Sequence, residues 1–123
     1  MTIDANIVIG YLNGDPQIIE AIISWRREGR FLVLSTVAET EVLSFSRWTL
    51  SEFQAAQEFL EENFTSINFD RNLARIAADI RRKVKIKFPD AAIAATAIYT
   101  QTPVVTRNQK DFQKISGIKI ISI

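Results

Sequence analysis

The chemistry open to this chain is that of carboxylate, lysine, tyrosine and hydroxyl groups, and its carboxylates are the most suggestively placed. Its 123 residues include no histidine and no cysteine. Ser-His-Asp and Cys-His nucleophiles, imidazole acid–base work, histidine ligation, thiolates and disulfides are excluded together. The candidates that remain are Asp4, Glu41, Asp90 and Asp111, with Asn108 and Thr106 beside the last. Asp4 follows an apolar start. Glu41 lies three residues after Ala38, one before Val42 and four before Phe45, inside the apolar stripe of a helix, whereas Glu39 falls on the polar side. Asp90 follows Pro89 at the mouth of an alanine-rich segment. Thr106, Asn108 and Asp111 crowd the end of Val104-Val105.

Each of these residues also has a plain structural reading. Asp4 suits an N-cap after a strand, and Asp90 suits the positive end of a helix dipole. Glu41 could pair with an arginine at its helix edge. Asp111 could be a loop or first-turn acid, Asn108 a turn residue and Thr106 a turn cap. Their joint placement adds something the single readings lack. Carboxylates converging in a low-dielectric cleft repel one another unless something neutralises them. A hard divalent cation, Mg²⁺ or Mn²⁺ in its place, prefers oxygen ligands and keeps several waters. Such an ion lowers the pKa of a bound water and holds a phosphate for in-line attack, with no histidine needed. The expected chemistry is metal-dependent phosphodiester hydrolysis, with water as nucleophile and the acids placing metal.

The elements that must position these groups alternate. A first strand ends at Asp4, and a short helix runs from Ala5 to Leu12. Asn13-Gly14-Asp15-Pro16 breaks the chain and starts a helix that closes on Arg26, Arg27 and Gly29. Phe31 to Leu34 is a strand-length apolar run. Ser35 or Thr36 caps a helix with Ala38, Val42, Phe45 and Trp48 on its stripe. Ser51 starts another, with Ser51-Glu52-Phe53-Gln54 shaped weakly like a capping box. Ser66 to Phe69 is a third strand, and Asp70 caps the following helix. Pro89 opens a helix whose residues Ala91 to Tyr99 are nearly all small or apolar, so most of its circumference should be buried. Val104-Val105 and Ile118 to Ile121 are the last strands. This order implies right-handed βαβ units and a mainly parallel sheet. Ligands of such sheets bind beyond the carboxyl ends of the strands, and the candidate acids can all reach that edge.

The length predicts one domain, residues 1–123. The formal net charge of +1 excludes bulk attraction to nucleic acid or membrane, so any such binding needs a local patch. Between Arg71 and Lys87 that patch is present: Arg71, Arg75, Arg81, Arg82, Lys83, Lys85 and Lys87, against Asp79 after the capping Asp70. Arg82, Lys85 and Lys87 lead toward Asp90 and are candidate phosphate contacts, although a solvated helix face and loop read the same way. Trp25 and Trp48 could stack bases or sit in the core. No signal peptide or membrane span is read, so the expected location is the cytoplasm.

At this point the chain resembles a family. Ile3-Asp4-Ala5-Asn6-Ile7, Ser35 to Leu43, Phe88 to Ala97 and Val104 to Phe112, in that order, are similar to the PIN-domain ribonucleases, in particular VapC-type toxins. The resemblance implies a flavodoxin-like three-layer α/β/α sandwich and Mg²⁺-dependent endoribonuclease activity. It implies metal ligation by Asp4, Glu41 and Asp90, a cognate antitoxin and a homodimer. A groove at Tyr11 and the first two helices would receive an antitoxin helix. Many relatives carry an aspartate where this chain has Asn108, so either Asn108 is a neutral ligand or Asp111 supplies the charge. Competing readings are a PIN nuclease of RNA processing without an antitoxin, and a catalytically weak RNA- or metal-binding module. A flavodoxin-like regulatory domain is disfavoured, because a phosphate-binding glycine loop and an acidic pair after the first strand are both missing.

Overall fold

The computed structural model describes residues 1–123. Five strands form one sheet: β1 (Thr2–Ile3), β2 (Val33–Ser35), β3 (Thr65–Ile67), β4 (Val104–Val105) and β5 (Ile120–Ile121). Their order is β3-β2-β1-β4-β5, and every pair is parallel. Helices α1 (Ala5–Leu12) and α2 (Pro16–Arg27) join β1 to β2, and α3 (Thr36–Leu43) and α4 (Leu50–Asn63) join β2 to β3. Helices α5 (Arg71–Lys83) and α6 (Phe88–Thr100) carry the chain back to β4, and the four-residue α7 (Gln109–Phe112) leads to β5. The connections through α1 to α4 move outward on one side of β1. The return through α5 and α6 reverses direction, so right-handed crossovers put these helices on the other face. The result is the expected three-layer α/β/α architecture.

That reversal decides where a site can be. β1 is hydrogen-bonded to β2 on one side and to β4 on the other. The chain leaves β1 toward one face and β4 toward the other, so a crevice opens between their carboxyl ends. Asp4 is the residue after β1 and Thr106 the residue after β4. The register Ile3 to Val105 and the Asp4 amide bonded to the Val105 carbonyl at 3.0 Å fix the two ends side by side.

Helix α6 is the spine of the core. Ala91 to Ala97 are all buried, as the run of small residues predicts. Alanine lets the helix approach β1, β2 and β4 closely while α5 and α3 pack against its other sides. Pro89 sits in its first turn and Asp90 follows within that turn, so the helix starts at the crevice.

Several boundaries differ from the sequence reading. β2 begins at Val33, because Phe31 is exposed and its carbonyl accepts the N-terminal ammonium at 2.6 Å. Helix α3 stops at Leu43. Phe45 continues its periodicity but lies 53% exposed beyond the helix, in edge-on contact with Trp48, which meets Phe53 of α4. The cap of α4 is Thr49, not Ser51: the Thr49 hydroxyl accepts the Glu52 amide and the Glu52 carboxylate accepts the Thr49 amide. Strand β3 lies one residue earlier at its start than predicted, and β5 is confined to two residues. Helix α7 was not foreseen; its buried Phe112 anchors it. Trp25 and Trp48 are both partly buried against the core. No helix is long and apolar enough to cross a membrane.

Candidate active site

Asp4 is the centre of the site. It is only 4% exposed, yet it makes no ion pair. It occupies the N-cap position of α1, but its side chain makes no capping hydrogen bond. Its partner is Thr106, whose hydroxyl donates to Asp4 Oδ2 at 2.6 Å. Thr106 Oγ1 in turn accepts the Asn108 backbone N–H at 2.9 Å and Asn6 Nδ2 at 3.4 Å. One proton donated and two bonds accepted exhaust a hydroxyl. Thr106 is therefore a hub, fully buried, that ties β4 to the first turn of α1 and aims the Asp4 carboxylate. Burial pushes the Asp4 carboxyl above its ordinary range, and the Thr106 hydroxyl and the nearby Ala5 and Asn6 amides only partly oppose this.

Asp90, half-buried in the first turn of α6, is also pushed up. Loss of water is the main cause, followed by the charges of Asp4 and Asp111, with Lys87 opposing. Glu41, on α3, lies exposed at the rim rather than in the core stripe that spacing alone suggested. The desolvation its carboxyl does feel, together with the charges of Asp4 and Asp90, pushes it up as well. The charge of Asp4 bears on both Glu41 and Asp90, and that of Asp90 on Glu41, so the three acids lie within electrostatic reach of one another although they come from three separate elements. None of the three has a basic partner.

Asp111 is different. Asn108 Nδ2 donates to its Oδ2 at 2.9 Å, and Lys114 Nζ lies 3.4 Å from Oδ1. These contacts, with Lys87, hold its carboxyl low. It is therefore already charged while Asp90 titrates, so their repulsion is expressed on Asp90. Asn108 is the N-cap residue of α7 and spends its side-chain amide on Asp111, while its backbone N–H goes to Thr106.

No three acidic side chains are drawn together tightly enough to form a ready-made ion cage. The donor set still fits a hard divalent cation. All its candidate ligating atoms are oxygens, the acids repel one another, and none of the three is in an ion pair, Lys87 only partly offsetting the charge at Asp90. An ion that keeps part of its water shell does not need every carboxylate in direct contact.

The phosphate candidates separate. Lys85 and Lys87 line a cleft beside Asp111. Arg82 turns to Asp79 at 3.5 Å and does not line that cleft. Sequence reasoning missed Asn6, Arg107 and Lys114. Arg107 pairs with Asp15, the N-cap of α2, at 2.7 Å and so pins the β4–α7 loop. Lys114 had a signal, since it stands three residues after Asp111. The contact between Asn6 and Thr106 spans 100 positions and has none.

A family model described as the PIN domain matches residues 1–118. Comparison with curated proteins gave no match. Among solved structures, a chain of a toxin–antitoxin complex from Klebsiella pneumoniae is similar with a TM-score of 0.82 and 28% identity, over 98% of this chain and 94% of that one. A chain of DNA-bound VapBC from Salmonella typhimurium gives 0.83 at 22% identity, over 98% and 96%. A chain of VapBC2 from Rickettsia felis, bound to a promoter DNA fragment, gives 0.83 at 18%, over 99% and 97%. The last two, at such identities, speak to the fold.

Proposed function

This chain belongs to the PIN-domain family, and from that premise we propose that it is a Mg²⁺-dependent endoribonuclease, the toxin of a type II toxin–antitoxin pair. One observation carries the reading. Asp4 stands at the end of β1, and Asp4, Glu41 and Asp90 lie within electrostatic reach of one another, each pushed above its ordinary range and none in an ion pair. Such a set stores repulsion that a dication relieves. Asp4 and Asp90 would hold the ion, Glu41 would complete the set from the rim, and Asp111 with Asn108 would serve the far side. When bound, Mg²⁺ or Mn²⁺ supplies an acidified water and a clamp for the scissile phosphate. The chain's own part is positional. Thr106 orients Asp4, the α6 N-terminus presents Asp90, and Lys87 offsets the negative charge beside them.

A toxin would have a cognate antitoxin. The surface best suited to it is a cavity of about 240 Å³ between α1 and the segment after α3, lined by Ile9, Leu12, Val42, Phe45 and Trp48 with Glu41 at its edge. Tyr11 is already stacked on Phe59, with ring centroids 4.5 Å apart, and contributes less. A homodimer acting in the cytoplasm completes the proposal.

A weak RNA- or metal-binding module is the second reading, favoured by Asp111 being committed to Asn108 and Lys114. RNA cleavage with Mg²⁺ or Mn²⁺, comparing wild type with Asp90→Asn, separates the two. The nuclease cuts and the variant loses at least most of that activity. Cutting that survives Asp90→Asn places the chemistry elsewhere, and no cutting by wild type leaves the binding module. Co-purification with the product of an adjacent small gene separates a toxin from an RNA-processing nuclease.

A further inference from the structure

Helix α5 ends in three consecutive cations, and the structure sorts them. Arg82 and Lys83 both reach Asp79, at 3.5 and 2.9 Å. Arg81 has no acidic partner and lines an open cleft of about 390 Å³ with Lys85, Ile86, Lys87, Asp111 and Lys114. Four cations thus face one acid, in a chain whose whole formal charge is +1. The cleft offers a single apolar residue, so little there would hold a base or an apolar side chain. Asp111 forms the end toward the acidic site, and Lys87 bears on both Asp111 and Asp90, so the cleft opens from that site. Lys114 is tied to Asp111 through a partly exposed contact of 3.4 Å, which a competing anion can replace.

Resting on the nuclease reading above, we propose that the backbone of the RNA strand flanking the scissile position runs along this cleft. Its phosphates are held by Arg81, Lys85 and Lys114, with Lys87 at the mouth. An open groove lined by four cations and a single acid fits a strand of repeated negative charges. Contacts of this kind fix path and register without reading sequence.

The test uses the full chain in EDTA, so that binding is read without cleavage, with a labelled single-stranded RNA of about 12 nucleotides. Affinity is measured against salt concentration. Arg81→Gln, Lys85→Gln and Lys114→Gln should each reduce the slope of log affinity against log salt by about 0.7, and the triple variant by about 2. Lys83→Gln removes the same charge from the same helix end and should leave the slope unchanged. Melting curves confirm that the surface variants fold. The proposal is overturned if the triple variant binds like wild type, if Lys83→Gln weakens binding as much as Arg81→Gln, or if polyglutamate of matched charge displaces RNA equally well. The nuclease reading fails separately. In that case RNA binds through these cations, yet wild type never cuts it with Mg²⁺ or Mn²⁺.

Discussion

Replacing Thr106 by valine keeps the shape of a fully buried side chain and deletes its hydroxyl. Three groups lose a partner: Asp4 Oδ2, the Asn108 amide and Asn6 Nδ2. The bond to Asp4 is charge-assisted and short, at 2.6 Å, and bonds of that type contribute about 1.5–3 kcal/mol. The Asn108 amide adds about 1 kcal/mol, while the long Asn6 contact adds little. Some of the loss returns as Asp4 binds a proton, so a net cost of about 2 kcal/mol is expected. For a chain of this size that is a fall in Tm of about 8 °C. Thr106→Ser keeps the hydroxyl and should recover most of it. Activity should separate from stability. With Asp4 no longer aimed, Thr106→Val should need more Mg²⁺ for half-maximal cleavage and a higher pH to reach its plateau, both at temperatures where it is fully folded. Thermal melts and cleavage titrations of the two variants are the assay. A valine variant that melts and cuts like wild type would refute the role given to Thr106.

Asp4, Glu41 and Asp90 all bind protons more tightly folded than unfolded, so the folded chain holds the extra protons above the ordinary carboxylate range of about 4. Their contribution to metal-free stability is therefore greatest at acid pH and falls as pH rises through that range and above it. Asp90→Asn should flatten this part of the pH profile and raise the neutral-pH Tm of the metal-free protein, in melts followed by circular dichroism. Mg²⁺ at about 100 times its dissociation constant should stabilise wild type by about 2.7 kcal/mol and the variant far less. Phe112 is fully buried and is the one core anchor of α7, so Phe112→Ala should cost about 3–5 kcal/mol in denaturant titrations. It should also loosen Asp111 from Lys114, seen as a rise of the Asp111 carboxyl toward its ordinary range by NMR.

Much of the scaffold was legible because its signals are local. Asp15-Pro16, Asp70 and Pro89-Asp90 mark helix starts through caps and fixed φ, and the alanine run of α6 announces a buried helix. Gly29, at φ 71°, closes the turn after α2 where a side chain would be strained. The errors came where two local signals compete. Phe45 and Trp48 extend the period of α3, but they serve a cluster with Phe53 instead. Thr49 and Ser51 can both cap a helix, and the glutamate three residues after Thr49 decides between them. The candidate site could be written from the sequence as a list of acids, but not as a geometry. Glu41 looked inward by spacing and stands exposed, next to the buried Val42 of the short α3. The sharing of Thr106 among Asp4, Asn6 and Asn108 is set by strand order, which no local pattern carries.

A crystal of the full chain soaked in Mn²⁺ and read by anomalous scattering tests the assignment most directly. The expected result is manganese in the crevice beyond β1 and β4, ligated by Asp4 and Asp90 with Glu41 in its water shell or bound to it. Manganese bound on another surface, or a crevice that stays metal-free at saturating Mn²⁺, would contradict it.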